Sequence, residues 1–237
     1  NQIKTNEPMK RHTTFGIGGP ADCFLMPETT EEVCLITKLA HKHEVPLFVL
    51  GGGANLLVRD KGIRGAVVFT GRLHRMERKG NLLTVASGVP TAAAARKALE
   101  YGLSGMEFAS GIPGSIGGAA YMNAGAYGGE MAKIIVSATT CDAKGDIIVH
   151  SIKDMGYGYR HSPFMQNGEV ILDITLSLKP GNQKDIEALM KDLNQRRATK
   201  QPLEKRSAGS TFKRPDGHFV GQMLEELGLK GFSVGDA

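Results

Sequence analysis

Tryptophan is absent, and aromatic residues make up only 6 % of the 237-residue chain. A basic stretch described below has no aromatics interleaved for base stacking, and no zinc-finger or RNA-recognition signature appears, so nucleic acid is not an expected partner. Cysteine is scarce. Cys23, Cys34 and Cys141 are odd in number and lack metal-ligand spacing, which argues against a disulfide framework or a metal centre, and they are read as reduced and structural. No apolar run approaches the ~18 residues of a membrane span. Asn1–Asn6 carry no signal-peptide core, so no membrane association is expected and the cytoplasm is the expected compartment. Walker-type phosphate loops, a G-x-S-x-G elbow and an H-E-x-x-H helix are missing too, which removes the usual routes to nucleotide hydrolysis, serine esterase chemistry and zinc proteolysis. Hydrophobic content of 41 % and charged content of 22 % are those of a globular protein with one large or two modest domains.

What the chain has is glycine, gathered in two places. Pro46-Leu-Phe-Val-Leu50 reads as a buried strand that stops at Gly51, Gly52 and Gly53, with Ala54 and Asn55 following. Without Cβ atoms, successive N–H groups can turn to one side and admit an anion such as a pyrophosphate. A plain glycine turn between two strands is the competing reading. The second cluster, Gly111, Gly114, Gly117 and Gly118, holds too many glycines for a stable isolated helix. Ser115–Met122 is expected to begin a helix whose N-terminus faces a ligand; close packing of a Gly/Ala helix is the alternative.

Between these clusters the pattern alternates. Gly16, Gly18 and Ala21 formally fit G-x-G-x-x-A, but Pro20 and the strand-like Cys23–Met26 follow, so the dinucleotide fingerprint is rejected. Thr29-x-x-Glu32 is a capping box opening a helix to about His43, with Val33, Ile36, Leu39 and Ala40 on one face. Gly65–Phe69 is a further strand. A hairpin (His74–Lys79, Leu82–Val85), a helix (Thr91–Tyr101) closed by Gly102, and a second hairpin (Ile134–Thr140, Asp146–His150) follow. Then come a tyrosine- and arginine-bearing loop (Gly156–Phe164), a strand (Glu169–Leu178), and helices over Asp185–Arg197 and Phe219–Leu227. The expected class is α+β.

Net charge is +5, but eight basic residues against Asp192 and Glu204 place +6 between Lys191 and Arg214, leaving the remainder near neutral. Such a patch suits an anionic small molecule, or is simply a solvated face.

Six blocks in order, His12–Ala21, Leu50–Leu57, Ser110–Ala119, Asn123–Gly128, Tyr159–Ser162 and Ala208–Pro215, resemble the UDP-N-acetylenolpyruvoylglucosamine reductases, in the shorter form without an inserted tyrosine loop. The resemblance implies a PCMH-type (vanillyl-alcohol-oxidase-like) FAD-binding fold of two α+β lobes, residues 1–72 and 73–181, plus an incomplete substrate-binding α+β domain, 182–237. It implies FAD and NADPH as cofactors, UDP-N-acetylglucosamine enolpyruvate as substrate, UDP-N-acetylmuramate as product and a monomer. To FAD it assigns Leu50, Gly51, Gly52, Gly53, Ala54, Asn55 and Leu56. It adds Ser110, Gly111, Ile112, Pro113, Gly114, Gly117, Gly118, Ala119, Asn123 and Tyr127. Arg160 matches the arginine that stabilises the enolate left by hydride delivery, and Ser210 the serine that returns a proton to it. Tyr159, Lys200, Lys213 and Arg214 fall at the substrate, although the family often has Asn where Arg214 stands; Lys213 and Arg214 are also the cations expected to acidify Ser210. Members carry a catalytic glutamate in a later segment that this sequence does not supply, and a truncated chain is the expectation. Another flavin oxidoreductase of the same fold, or a non-catalytic FAD or nucleotide-sugar binding fragment, are the rival readings.

Overall fold

A computed structural model describes residues 2–235. The first unit is β1 (Ile3–Pro8), β2 (Pro20–Leu25), α1 (Thr30–Lys42), β3 (Leu47–Leu50) and β4 (Ile63–Phe69). Its sheet runs β1-β2-β4-β3; β1 is antiparallel to β2, while β2 and β3 both run parallel to β4. The central strand β4 buries Ala66, Val67 and Val68 in succession, as a strand covered on both faces does. Position rather than composition makes β3 different: it is an edge strand, and Val49 is 41 % exposed. The expected buried strand is therefore corrected to an edge strand with only Leu50 buried, because β4, later in sequence, inserts between β2 and β3.

The cap on α1 forms with one change. The Thr29 hydroxyl accepts from the Glu32 N–H at 3.2 Å, but the Glu32 carboxylate accepts from the Glu28 N–H at 2.7 Å, one residue further out than a strict capping box. The buried stripe is Val33, Thr37 and Ala40, with Leu39 exposed, so the expected face is rotated. Thr37 is tolerated there because its hydroxyl donates to the Val33 carbonyl at 2.9 Å.

The second unit comprises β5 (Met76–Lys79), β6 (Leu82–Ala86), α2 (Thr91–Glu100), β7 (Leu103–Ser104), α3 (Ile116–Tyr121), β8 (Gly125–Ala126) and β9 (Gly129–Glu130). It continues through β10 (Ile135–Cys141), β11 (Ile147–Ser151), α4 (Phe164–Asn167), β12 (Val170–Ser177) and β13 (Lys179–Pro180). Its five-stranded antiparallel sheet is ordered β11-β10-β12-β6-β5. On one face Leu83, Val85, Ile174 and Leu176 join Ala94 and Ala98 of α2 and Ile116 and Ala119 of α3 in the main core. On the other, Cys141, Val170 and Leu172 pack with Val33 of α1, which ties the two units together. A register shift between Thr139 and Thr140 leaves Leu172 as an extra residue on β12, so Leu172 and Ile174 serve opposite faces.

Two further helices complete the chain, α5 (Gln183–Lys200) and α6 (Val220–Glu226). Through Ile186 and Leu193 α5 anchors on the second unit, whereas α6 buries none of its residues. Among the described residues no helix is long and apolar enough to cross a membrane, and no cluster of His, Cys, Asp and Glu could hold a metal. The three cysteines are unpaired.

Candidate active site

The loop after β3 and the loop before α3 meet at their glycines. A Cβ on Gly52 would lie 2.6 Å from the Cα of Gly114, and one on Gly51 would strike the Ser115 hydroxyl. Gly53, at φ +63°, lies with its bare side against the His12 carbonyl, and its own carbonyl accepts from the Thr14 N–H at 3.1 Å. His12 stacks on Phe24 with ring centroids 4.1 Å apart and bonds the buried Glu7 carboxylate at 2.9 Å, so it is a packing histidine under the loop. That bond holds the Glu7 carboxyl below its ordinary value against the opposing effect of burial, with Lys4 helping.

Backbone bookkeeping separates the glycines into two kinds, since a main-chain N–H shielded from water normally finds an acceptor. Among the described residues no protein acceptor meets the N–H groups of Gly52, Gly53, Ala54 and Asn55, nor those of Gly114 and Ser115. These six donors belong to two loops in contact, which is an array fit for a diphosphate. The opening of α3 is different. Ile116 donates to the Val89 carbonyl, Gly117 to the Ser87 carbonyl (both 2.8 Å), and Gly118 to the Ser115 hydroxyl at 3.4 Å. The expected helix N-terminus facing a ligand is therefore corrected: its donors are spent, and the helix is only six residues long. Gly117 is glycine because Ser87 packs where its Cβ would be, 2.6 Å from the Ser87 Cβ. Ala119 points into the main core, and Ile112 packs against it. The Ser110 hydroxyl bonds the Glu107 carbonyl at 2.9 Å and Asn194 of α5 at 3.3 Å, and Gly111 lies under Asn194 and Arg197. Gly118 keeps an open side, with nothing nearer a Cβ than the Ser115 hydroxyl at 3.6 Å.

Arg160 sits at the tip of a tight turn in which Gly158 and His161 exchange both backbone hydrogen bonds at 3.1 Å. The backbone of Arg160 is left-handed, φ +52°, a conformation that costs a non-glycine residue. Its guanidinium donates to the carbonyls of Asn123 and Gly125, each at 3.1 Å, and lies 5.2 Å from the Tyr159 ring centroid. Ser162, fully buried, ties the turn to the end of α3 by donating to the Tyr121 carbonyl at 2.7 Å. Tyr127 and Gly128, both at positive φ, form the two-residue turn between β8 and β9 that neighbours this group.

The basic stretch reaches the first unit by contacts that no local pattern announces. Thr14 donates its hydroxyl proton to the Ser207 carbonyl at 2.6 Å, and Arg206 donates to the Gly16 carbonyl at 3.2 Å. A Cβ on Gly209 would lie 3.5 Å from the Asn55 side-chain oxygen, so Ser210, exposed, is carried beside the first glycine loop. Lys200 ends α5, and Lys213 and Arg214 are exposed, the latter 4.9 Å from the Phe219 ring centroid. Asn55, Gly209 and Ser210 thus form one group and Asn123, Gly125 and Arg160 another, and no hydrogen bond joins them among the described residues. Gly16 and Gly18 precede β2 rather than a helix, as their context implied. A separate cleft of about 460 Å³ between Thr30 of α1 and Asp173 of β12 lies away from both glycine loops.

Residues 21–151 match a family model described as an FAD binding domain, and residues 201–237 one described as the C-terminal domain of UDP-N-acetylenolpyruvoylglucosamine reductase. A reductase of that name from Clostridium kluyveri is 48 % identical over 235 residues, covering 99 % of this chain and 77 % of the relative. The chain belongs to the UDP-N-acetylenolpyruvoylglucosamine reductase family. The crystal structure of the UDP-N-acetylenolpyruvylglucosamine reductase from Thermus caldophilus superposes with a TM-score of 0.85 at 35 % identity, covering 97 % of this chain and 82 % of that one. Alkyldihydroxyacetonephosphate synthase, 17 % identical with a TM-score of 0.57 over 76 % of this chain and 41 % of its own, shares the fold alone. The architecture is the PCMH-type FAD-binding fold, and members of this reductase family use FAD and NADPH.

Proposed function

We propose that this chain reduces UDP-N-acetylglucosamine enolpyruvate to UDP-N-acetylmuramate for peptidoglycan synthesis in the cytoplasm, and that Arg160 and Ser210 do the chemistry. The observation that carries the reading is the paired glycine loops with six uncommitted N–H groups, beside which the chain brings a serine loop. These residues fit a flavin dinucleotide: Gly52–Asn55, Gly114 and Ser115 would hold its diphosphate, where side chains on Gly52 would collide and donors stand ready. When bound, FAD would supply the hydride relay from NADPH to the enolpyruvyl double bond.

Arg160 supplies fixed positive charge. Two of its five N–H donors are bound to the Asn123 and Gly125 carbonyls, leaving three to meet the substrate carboxylate as charge grows on it. Ser210 returns a proton to the carbon next to that carboxylate, aided by the positive field of its loop. Tyr159, Lys200, Lys213 and Arg214 line the path of the nucleotide-sugar. Division of the chain at 72 and 181 belongs to the same proposal, and is supported by the two separate sheets. The purified protein should be yellow and should oxidise NADPH only when the enolpyruvyl UDP-sugar is added. Turnover on an alcohol with indifference to that sugar would sink the reading in favour of another flavin oxidoreductase.

A further inference from the structure

We infer that Asn123 is a positioning residue for Arg160 rather than a contact of the flavin. Asn123 is 2 % exposed, and its side chain is committed within the protein. Its Oδ1 accepts from the Ala132 N–H at 2.9 Å, and its Nδ2 donates to the Gly158 carbonyl at 2.9 Å, with the Glu130 carboxylate 3.5 Å away. Gly158 is the root of the turn that carries Arg160 at its tip. The main-chain carbonyl of Asn123 meanwhile accepts from the guanidinium at the other end of the same arginine. One residue thus holds both the base of the loop and the charged head it presents. Its own backbone is left-handed at φ +41°, where Asn is among the few side chains tolerated, and that conformation lets the carbonyl and the amide both reach the Gly158–Arg160 segment.

The proposal deepens the assignment of Arg160 and rests on it. A cation stabilises a developing enolate only if it is already in place, and a displacement of the order of 1 Å can cost about a hundredfold in rate. Asn123→Gly keeps the left-handed backbone and removes the amide. In the holoenzyme the rate at which substrate reoxidises the reduced flavin should fall about 100-fold, while flavin content and reduction by NADPH stay near the parent. In an Arg160→Ala background the same change should add almost nothing, because the residue acts through the arginine. Amide hydrogen exchange at Gly158 and His161, read without turnover, should speed up. Equal losses in both backgrounds, or flavin lost on purification, would overturn the proposal. An Arg160→Ala enzyme that reoxidises normally would instead overturn the reading of Arg160 beneath it. If the glycine variant does not fold, Asn123→Asp carries the same comparison, since it keeps the bond from Ala132 and sets a carboxylate oxygen against the Gly158 carbonyl.

Discussion

Replacing Gly52 by alanine adds one carbon where the two glycine loops touch. That carbon would lie 2.6 Å from the Cα of Gly114, 2.9 Å from its carbonyl carbon and 3.2 Å from the Ser115 nitrogen. All three are main-chain atoms and none can swing aside. Carbon pairs prefer roughly 3.5–4.0 Å, so the loops must part by about 1 Å. Overpacking of this kind costs about 1–3 kcal/mol, which leaves a typical domain folded. For a chain of this size the apoprotein should melt about 2–4 °C lower per kcal/mol. Flavin binding should suffer more. Each N–H turned away from a charged acceptor forfeits about 1.5–3 kcal/mol, roughly ten- to a hundredfold in affinity. Melting of the apoprotein and a fluorescence titration with FAD measure the two effects. Gly118→Ala is the internal control, because its Cβ meets nothing in the protein closer than 3.6 Å and a helix gains from alanine. It should melt no lower than the parent. A Gly52→Ala protein with parental melting and parental FAD affinity would refute the argument that these loops are held apart by nothing but hydrogen.

Three other outcomes are expected. Ser210→Ala should leave flavin reduction by NADPH nearly intact and cripple reoxidation by substrate in stopped-flow traces; equal damage to both half-reactions contradicts a proton-donor role. Arg160→Gln should slow reoxidation by roughly 10²–10³ while flavin content is unchanged, the loss typical of one removed oxyanion donor. The lowered pKa of Glu7 stabilises the fold above its ordinary value of 4.5, and that contribution disappears as pH falls through the folded value. Glu7→Gln should therefore flatten the acid limb of the melting temperature below about pH 4.5 and shift the neutral plateau downward.

Elements with a strong local signal were readable: α1 from its cap, β10–β11 from the paired runs Ile134–Thr140 and Asp146–His150, α2 from its closing Gly102 at φ +64°. What failed needed topology. Leu47–Leu50 looks like a buried strand, yet nothing within it says that β4 will take the central place. Leu39 looks like a core residue, yet the buried stripe runs through Thr37, which hides its hydroxyl on the helix itself. At the site, the glycine clusters were visible by composition and the Arg160 and Ser210 blocks by resemblance. The ties from Thr14 to Ser207 and from Arg206 to Gly16 span 193 and 190 residues, and no window of sequence contains them.

Glycine-rich loops invite a single explanation, and here the backbone donors show that two are needed. Gly52 and Gly117 would each collide if given a side chain, so bulk alone cannot tell a ligand cradle from a packing contact. The N–H groups can. Gly117 donates to Ser87 and its bare face is covered by the same residue, so its lack of a side chain is fully accounted for by the protein. Gly52 to Asn55 have no such account, and neither have Gly114 and Ser115. Of these residues Gly52 and Asn55 are exposed and open to an incoming ligand, while Gly53 and Ser115 are buried, where a shielded donor without an acceptor costs about 1–3 kcal/mol until water or a bound acceptor relieves it. An anion with many oxygens relieves it best, and the loops are held at the separation where nothing but backbone fits. Flavin binding should therefore be worth more to the stability of Gly51–Asn55 than to that of α3, and hydrogen exchange with and without FAD should protect the first loop while leaving the Ile116–Gly118 amides unchanged.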